Sequence, residues 1–481
     1  MTVEGILVIP LIAAILCWIP AIGRRVAPAV TLASSVAILG LTLVITRQVL
    51  EHGTYVAVPG WLEVDSLGIL ILLLVAAVGV LSSLYSLGYM KRTTHNPSIL
   101  HHYYGNLNLF IFSMVAVPVV VGPSVAWLAV EFTTLLSVLL VGFESNREAL
   151  EAAWKYAILT LTGAAIALFG FLILFWAMHM AGQSSYTWAG LASVAPQMAP
   201  AVVRVAYLTI LVGFGAKVGL VPLHTWLPDA HSQAPTAVCA LLSGVETTAV
   251  LYVILRLMPI VRASLGGTTD RWAISFGLLS VGVPAFLLLQ VHDYKRLFAF
   301  STVEHMGIIL TAAGLGGHAA HYGAMYQMLA HTMTKSFCFF AAGAVLIVAG
   351  TRDIASVRGL MRRSPVVASA LLLGALAIAG APPFAVFLGE FSILKAGIGE
   401  GRYLVTGLLA AFLIVAFFGI LLHINRMVFE GTSKDTGVVP AMPWSCSLTL
   451  ALAAIPVVML GLYVPGPVYT LLSRAATLIG G

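Results

Sequence analysis

Acidic, basic and histidine side chains recur inside the long apolar segments of this sequence. The nine that we select are Glu131, Lys155, Lys217, Glu246, Glu304, His305, His331, Lys335 and Glu390. An ionisable group near the centre of a bilayer costs at least ~3 kcal/mol, so such groups normally face a protein interior or a water-filled cavity. Titratable groups that share such an interior can pass protons to one another, and we predict that these nine form a proton relay.

Lys217 lies deep in the stretch VGFGAKVGLVPLHTWLPDAHSQAPT, which covers residues 212–236. It follows Arg204 by 13 residues. At 1.5 Å per residue this spacing places it roughly 20 Å into the membrane. Pro222 then removes a backbone donor and clashes with the preceding turn, so the sequence predicts a broken helix beside the lysine. The alternatives are a lysine that extends to the membrane surface and a static ion pair.

Two glutamates in the first half lie at membrane depth by their position in the sequence. Glu131 lies near the middle of the apolar run PSVAWLAVEFTTLLSVLLVG. Opposite charges couple strongly at low dielectric, so we predict a coupled Glu131–Lys217 pair, with a static pair as the alternative. Glu246 lies ten residues before Arg256 and is therefore also deep. Both a relay role and a protonated, hydrogen-bonded structural role fit Glu246.

The second half of the sequence carries the histidines of the predicted relay. His331 and Lys335 are four residues apart and therefore share one face of a helix. Glu304 and His305 occur together in FSTVEHMG, and Glu390 follows a second proline break in GAPPFAVFLGE. A histidine beside a buried lysine favours proton transfer over a purely structural role.

Residues with metal-ligand chemistry also follow the first proline break. They are His224, Asp229 and His231, and no HExxH pattern accompanies them. We therefore predict a loop mouth that gathers protons rather than a metal site. The four cysteines are scattered without CxxC spacing, which argues against a metal or iron–sulfur site in this chain.

Such residues need a membrane-embedded helical bundle to hold them. Of the 481 residues, 60% are hydrophobic and 9% are charged, whereas soluble domains carry roughly a quarter charged residues. We predict an all-α polytopic membrane protein with about fourteen transmembrane helices of about 20 residues each. The first apolar run, residues 3–22, is interpreted as a mature helix rather than a signal peptide. The last predicted span is 445–473.

Arginines and lysines are distributed unequally between the predicted loops. Odd-numbered loops carry thirteen of them, including Arg24, Arg25, Lys91, Arg92 and Lys295, and even-numbered loops with the C-terminus carry seven. The positive-inside rule then places the odd loops in the cytoplasm and both termini outside it. The net charge of +6 is interpreted as topology information and not as a sign of a nucleic-acid partner.

Two segments share the same lysine-to-glycine spacing. AWKYAILTLTG places Lys155 eight residues before Gly163, and HTMTKSFCFFAAG places Lys335 eight residues before Gly343. Duplicated halves with interrupted helices point to a transport site. Chance similarity between two apolar helices is the alternative.

Together these motifs resemble the antiporter-like membrane subunits of respiratory complex I, which have relatives in Mrp-type sodium/proton antiporters and membrane-bound hydrogenases. The segments, between about residues 60 and 430, are GFGAKVGLVPLHTWLPDAHSQAPT, WLAVEFTTL, KYAILTLTG, YKRLFAFSTVEHMG, HTMTKSFCFFAAG and PPFAVFLGEF. The STVEHMG and HSQAP forms are most similar to component F of hydrogenase-4 and formate hydrogenlyase-type complexes.

The resemblance implies two inverted five-helix repeats whose seventh and twelfth helices are broken. It divides the chain into N-terminal helices 1–3 (1–105), a first repeat (106–258), a second repeat (271–430) and a C-terminal helix 14 (431–481). By motif position it assigns relay roles to Glu131, Lys217, Lys335 and Glu390. Many relatives carry a lysine where this chain has Thr248, and Glu246 lies two residues earlier.

The function that the resemblance implies is proton translocation in a redox-driven complex of the inner (plasma) membrane. We expect no cofactor or redox centre in this chain. Nickel–iron and iron–sulfur centres are expected in partner membrane and hydrophilic subunits. The alternatives are a cation/proton antiporter module, which would use sodium or potassium, and a membrane subunit for inorganic-carbon uptake.

Overall fold

The computed structural model describes residues 2–94, 96–431 and 440–480, and most of them are helical. The helices are α1 (Thr2–Trp18), α2 (Pro20–His52), α3 (Ser66–Thr93), α4 (Leu100–Ala116), α5 (Pro123–Val141), α6 (Arg147–Met180), α7 (Trp188–Val194), α8 (Pro200–Val218), α9 (Trp226–Gln233), α10 (Thr236–Leu241), α11 (Thr247–Leu265), α12 (Thr268–Leu287), α13 (Tyr294–Leu315), α14 (Gly317–Ala349), α15 (Leu360–Arg363), α16 (Pro365–Ile378), α17 (Ala385–Gly399), α18 (Tyr403–Phe429), α19 (Trp444–Leu462) and α20 (Gly466–Gly480). Short 3-10 turns occupy Pro97–Ile99, Ala195–Gln197 and Leu288–Gln290. An antiparallel hairpin of β1 (Thr54–Val58) and β2 (Leu62–Asp65) connects α2 to α3.

The helices form a bundle suited to a bilayer. Eleven helical stretches of the described residues are long and apolar enough to cross a membrane, and α1 and α16 are shorter apolar helices. The predicted all-α polytopic membrane fold is therefore confirmed. The helix count of about fourteen and the inverted repeats stay predictions.

The helices that carry the central charged residues are the most deeply buried. Nearly all residues in the apolar parts of the α10–α11 stretch, α13 and α14 are buried, whereas fewer than half of those in α2, α6 and α18 are buried. A helix that is apolar all round belongs in the interior of a bundle. Glu246, Glu304 and Lys335 therefore lie on the central helices.

Two helices are interrupted where the sequence predicted breaks. The first lies between α8 and α9, where Gly219 adopts a left-handed conformation at φ 85° and Pro222 follows. The second lies between α16 and α17, where Gly380 has φ 76° and two prolines follow. These breaks leave backbone carbonyl groups without helical partners.

A third irregularity had no sequence prediction. Between α10 and α11, residues Leu242–Glu246 form a π-helical segment, which we call the π segment. A π turn contains one residue more than an α turn and is frequently found at functional sites. All five of its residues are buried.

The prediction of one continuous span over 445–473 is wrong. The structure ends α19 at Leu462 and begins α20 at Gly466, with Pro465 in the interruption. Proline cannot donate a backbone hydrogen bond and clashes with the preceding turn, which accounts for the break. Arg474 of α20 donates to the carbonyl oxygens of Val49 and Leu50 at the end of α2.

The two ends of the bundle are referred to below by the loops they carry. The odd-loop end holds the α1–α2 and α3–α4 connections, with Arg24 and Lys91. The even-loop end holds the β-hairpin. Thr2 lies at this end because it bonds the Tyr55 hydroxyl of β1, and α20 lies there because Arg474 contacts the end of α2. Which end faces the cytoplasm stays a prediction.

Candidate functional site

Lys217 and Glu246 form a buried ion pair in the first half of the bundle. The Lys217 Nζ lies 2.9 Å from Glu246 Oε1, and both side chains are almost fully buried. Lys217 also donates to the hydroxyl of Thr134 on α5. Lys217 is placed by the last turn of α8, immediately before the break, and Glu246 by the end of the π segment.

The carboxylate of Glu246 has hydroxyl donors in addition to the lysine. Its Oε1 accepts from Thr133 Oγ1 at 2.9 Å, from Tyr156 Oη at 3.0 Å and from Ser137 Oγ at 3.4 Å. A buried ion pair is maintained only when further hydrogen bonds satisfy the remaining polar atoms. Helices α5 and α6 supply these hydroxyl groups, and together with Lys217, Glu246 and Glu131 they make up what we call the first charged cluster.

The prediction that Lys217 pairs with Glu131 is wrong, because the carboxylate that pairs with Lys217 belongs to Glu246. Glu131 lies on α5 one turn before Thr134, and both of its buried carboxylate oxygens lack a hydrogen-bond partner among the described residues. Helix α5 presents its hydroxyl groups to the ion pair instead, and Glu246 occupies the position beside the ammonium. Glu131 lies next to the pair without contacting it.

The π segment explains how Glu246 reaches Lys217. Widening the helix by one residue changes which side chains face α8 and α5. Thr248, which stands where many relatives carry lysine, instead donates to the Gly244 carbonyl at 3.0 Å. Gly244 also accepts from Thr332 Oγ1 at 2.6 Å, so α14 packs directly against the segment. A Cβ at Gly244 would lie 2.8 Å from the Ser336 hydroxyl and 3.1 Å from the Thr332 carbonyl oxygen, so glycine allows the close approach of α14 here.

Lys335 is the centre of a second charged cluster, which also contains Glu304, His305, His331, Gln327 and Glu390. Its side chain is fully buried. Its Nζ donates to the Phe298 carbonyl at 2.6 Å and to the Ser301 hydroxyl, both on α13. Glu304 follows on α13, and its buried Oε2 has no partner among the described residues. The partners of Lys335 are therefore neutral oxygen atoms rather than a carboxylate.

Two histidines connect this cluster to the π segment and to the second break. The rings of His305 and His331 lie 5.1 Å apart between centroids. His331 Nε2 donates to the Ser243 carbonyl of the π segment at 3.2 Å. His305 Nε2 donates at 3.1 Å to the carbonyl of Ile378, the last residue of α16 before the second break. Gln327 donates to His305 Nδ1 at 3.0 Å.

The two clusters meet at the π segment. Ser243 near its start contacts His331 of the second cluster, and Glu246 at its end contacts Lys217 of the first. The Ser243 hydroxyl also bonds Thr302 of α13 at 2.6 Å. A row of buried polar groups thus runs from α8 through the π segment to α13, α14 and α16.

Glu390 lies at the far end of the second cluster. It is buried on α17, and a Cβ on Gly380 would overlap its Oε2, so the carboxylate packs against the broken helix. It also lines a cavity of about 400 Å³ whose other walls include Phe387, Leu413 and Phe417. The cavity between α17 and α18 is therefore apolar apart from this carboxylate.

The prediction that Lys155 is buried is wrong. Half of its side chain is exposed, and its Nζ lies 2.7 Å from Glu151 and 3.2 Å from Asp229. Asp229 in turn contacts Arg296 at 2.6 Å. Lys155 is only two turns into α6 and faces outward, so it belongs to a surface ion-pair network at the odd-loop end.

The structure also buries two titratable groups, Lys295 and His231, that the sequence analysis did not assign to the relay. Lys295, counted above as a loop residue, is buried and donates to the carbonyls of Ser232 at 3.1 Å and Ala234 at 2.7 Å. These carbonyl groups lie at the C-terminal end of α9, where a cation interacts favourably with the helix dipole. His231 is buried against the Phe339 ring at 5.3 Å, and both of its ring nitrogens lack partners among the described residues. The HSQAP motif is the signal that marks this region.

The three residues predicted to gather protons at a loop mouth do not lie together. His231 is buried in the bundle, Asp229 joins the surface network, and His224 lies in the first break, where its Nδ1 lacks a partner among the described residues. Across the described part of the chain, no group of three or more histidine, cysteine or acidic side chains has the arrangement that a metal ion requires.

Comparison with known proteins gives consistent matches. Residues 124–419 match the family model described as NADH:quinone oxidoreductase/Mrp antiporter, and residues 54–98 match the N-terminal model of complex I chain 5. The hydrogenase-4 component F homolog of Methylacidiphilum infernorum is 35% identical over 412 residues, which cover 84% of this chain and 85% of that protein.

Two solved structures share the fold. One is a chain of the membrane-bound sulfane sulfur reductase, an archaeal respiratory membrane complex, with a TM-score of 0.90 at 24% identity over 99% of this chain and 97% of that one. The other is a chain of the Mrp complex from Dietzia sp. DQ12-45-1b, with a TM-score of 0.87 at 19% identity over 100% and 98% of the two chains. The resemblance drawn from the motifs is confirmed.

Proposed function

The chain belongs to the NADH:quinone oxidoreductase/Mrp antiporter family of membrane proteins, and from this premise we propose that it translocates protons as a subunit of a redox-driven complex. The complex would be of the hydrogenase-4, formate hydrogenlyase or NADH–quinone oxidoreductase type. Electron transfer would take place in partner subunits that hold nickel–iron and iron–sulfur centres. The complex would lie in the inner (plasma) membrane.

One observation carries the proposal. Buried polar groups connect Lys217 and Glu246 through the π segment to His331 and His305. Placing so many ionisable groups in a bundle interior is costly, and stability alone does not require it. A row of protonatable groups at this depth is what proton transfer across a membrane requires.

The Lys217–Glu246 pair supplies the coupling step. While the carboxylate is ionised, it stabilises the lysine ammonium at 2.9 Å. A proton on Glu246, or an outward movement of its side chain, would remove this stabilisation and favour proton release from the lysine. The neighbouring hydroxyl groups of Thr133 and Tyr156 donate to the carboxylate and hold it beside the lysine while it is ionised.

The test is proton uptake by the intact complex in inverted membrane vesicles. We expect Lys217→Ala to abolish uptake driven by the electron donor, while electron transfer by the partner subunits continues in the presence of an uncoupler. The matched control is Lys155→Ala, which removes a surface lysine and should leave uptake unchanged. Unimpaired uptake in the Lys217→Ala complex would refute the proposal.

A cation/proton antiporter is the second candidate, and a specific observation favours it. The chain superposes on a chain of an Mrp complex over its whole length, and its family includes the Mrp antiporters. Sodium- or potassium-dependent proton flux in vesicles that contain no electron donor would support this candidate. Proton flux that requires the electron donor and is indifferent to both cations would support the redox-driven pump.

A further inference from the structure

Two adjoining cavities at the odd-loop end form a groove that the proton relay does not use. One, of about 580 Å³, is lined by Arg25, Lys91 and Arg92 together with residues of α2, α3 and α19. The other, of about 300 Å³, is lined by Arg24 and again by Lys91. Because both cavities share Lys91, we treat them as one two-lobed site and call it the basic groove. We propose that the basic groove binds an anionic phospholipid with two phosphate groups, of the cardiolipin type.

The charges of the groove are available to a ligand. Arg24, Arg25, Lys91 and Arg92 are exposed, and none forms an ion pair or side-chain hydrogen bond with another described residue. By contrast, the exposed lysine Lys155 on α6 has two carboxylate partners. Four cations in close proximity repel one another unless an anion lies between them. The groove therefore has the charge pattern of an anion site.

The walls of the groove indicate a lipid rather than a free phosphate ion. Below the charges, the larger lobe is lined by Ala29 and Leu32 of α2 and by Leu87 of α3. Leu32 lies seven residues after Arg25 on α2, which is about 10 Å toward the centre of the bundle. A phosphate at the arginines would thus place an attached acyl chain along an apolar surface.

Helix α19 supplies further features that suit a membrane headgroup. Its first residues, Trp444 and Ser445, line the larger lobe. The first turn of a helix has free backbone N–H groups that attract phosphate oxygens. The Trp444 side chain is 68% exposed at the rim, and tryptophan is enriched at the level of lipid headgroups.

The two lobes account for two phosphates. Arg24 borders the smaller lobe, Arg25 and Arg92 border the larger, and Lys91 lies between them. A lipid with one phosphate would leave the cations of one lobe without a partner. Basic pockets between transmembrane helices are a known chemistry for cardiolipin headgroups. The site is independent of the proposed pumping function, because no relay residue lines it.

The test measures binding of fluorescent cardiolipin to the purified, delipidated complex in detergent. Arg25→Gln/Lys91→Gln should weaken binding about 30-fold, because each basic residue near an anionic lipid contributes ~1 kcal/mol. The control Arg147→Gln/Arg362→Gln removes two exposed charges of the predicted odd loops outside the groove and should change affinity less than twofold. Equal binding by the two double variants would overturn the proposal.

A second variant and three competitors test the apolar wall and the two phosphates. Ala29→Trp fills the larger lobe without altering charge, and we expect it to weaken cardiolipin binding at least tenfold. Unlabelled cardiolipin should displace the probe, whereas phosphatidylcholine and millimolar inorganic phosphate should not. Full binding by Ala29→Trp, or displacement by phosphate alone, would show a small-anion site and contradict a lipid site. Phosphatidylglycerol that binds as tightly as cardiolipin would contradict the two-phosphate form.

Discussion

The two charged clusters hold their buried lysines in different ways. In the first, Lys217 contacts the Glu246 carboxylate, which hydroxyl groups of α5 and α6 surround. In the second, Lys335 contacts a backbone carbonyl and a serine hydroxyl. A charge facing neutral oxygens is less strongly held than one facing an opposite charge at the same depth.

This difference suggests distinct tasks for the two lysines. The first cluster holds a pair of opposite charges, which stays stable as long as neither group gains or loses a proton. The second cluster surrounds its lysine with histidines and with carboxylates that do not contact it, so its charge is free to change with little rearrangement. Three substitutions test this contrast through the free energy of unfolding, in order of expected effect.

Replacing Lys217 should have the largest effect. Lys217→Met leaves the Glu246 carboxylate buried without its cation, and breaking a buried pair in this way costs about 3–5 kcal/mol. Adding Glu246→Gln should recover a large part of the loss, because the double variant no longer holds an uncompensated charge. Equilibrium unfolding of the four variants of the cycle in detergent gives the coupling energy. A double variant as unstable as the sum of the singles would show that the two residues are not coupled.

Replacing Lys335 should have a smaller effect. Lys335→Met removes two hydrogen bonds to neutral acceptors and leaves these acceptors buried, which costs about 1–3 kcal/mol. No carboxylate in contact is left uncompensated. Thermal unfolding of this variant beside Lys217→Met makes the comparison direct. If Lys335→Met proved the more destabilising of the two, the distinction between the clusters would fail.

Replacing Glu131 should have the smallest effect on stability. Its carboxylate oxygens have no hydrogen-bond partners among the described residues, and Glu131→Gln keeps the shape of the side chain. We expect a change within about 0.5 kcal/mol, as for substitutions that touch no specific interaction. The same unfolding measurement applies. A loss as large as that of Lys217→Met would place Glu131 in the ion pair after all.

Much of the architecture was predictable from the sequence because its signals are local. Apolar segments of sufficient length predicted the membrane-spanning fold, and Pro222, Pro382 and Pro383 predicted the two breaks. The depth of Lys217 followed from counting residues along its helix. Pro465 was also visible in the sequence, and the prediction of a single final helix overlooked its effect.

The pairing of charges was not predictable in the same way. Which carboxylate meets Lys217 depends on the rotation of the helix that carries Glu246, and the π segment sets this rotation. A helix buried on all sides has no polar face from which a sequence pattern could reveal its orientation. For Lys155 and Lys295, the face that each presents depends on packing by distant helices, so one was wrongly expected to be buried and the other to be exposed.

The π segment fixes the rotation about the helix axis that brings its two ends into contact with the two clusters. An α-helical turn has one residue fewer than a π turn. Converting the π segment into an α turn would therefore rotate α11 against α10 by about 100°. His331 holds Ser243 near the start of the turn and Lys217 holds Glu246 at its end. A chain shortened by one residue between them would satisfy one contact and lose the other. One surplus residue in a single helix therefore sets the angular register on which both halves of the bundle depend.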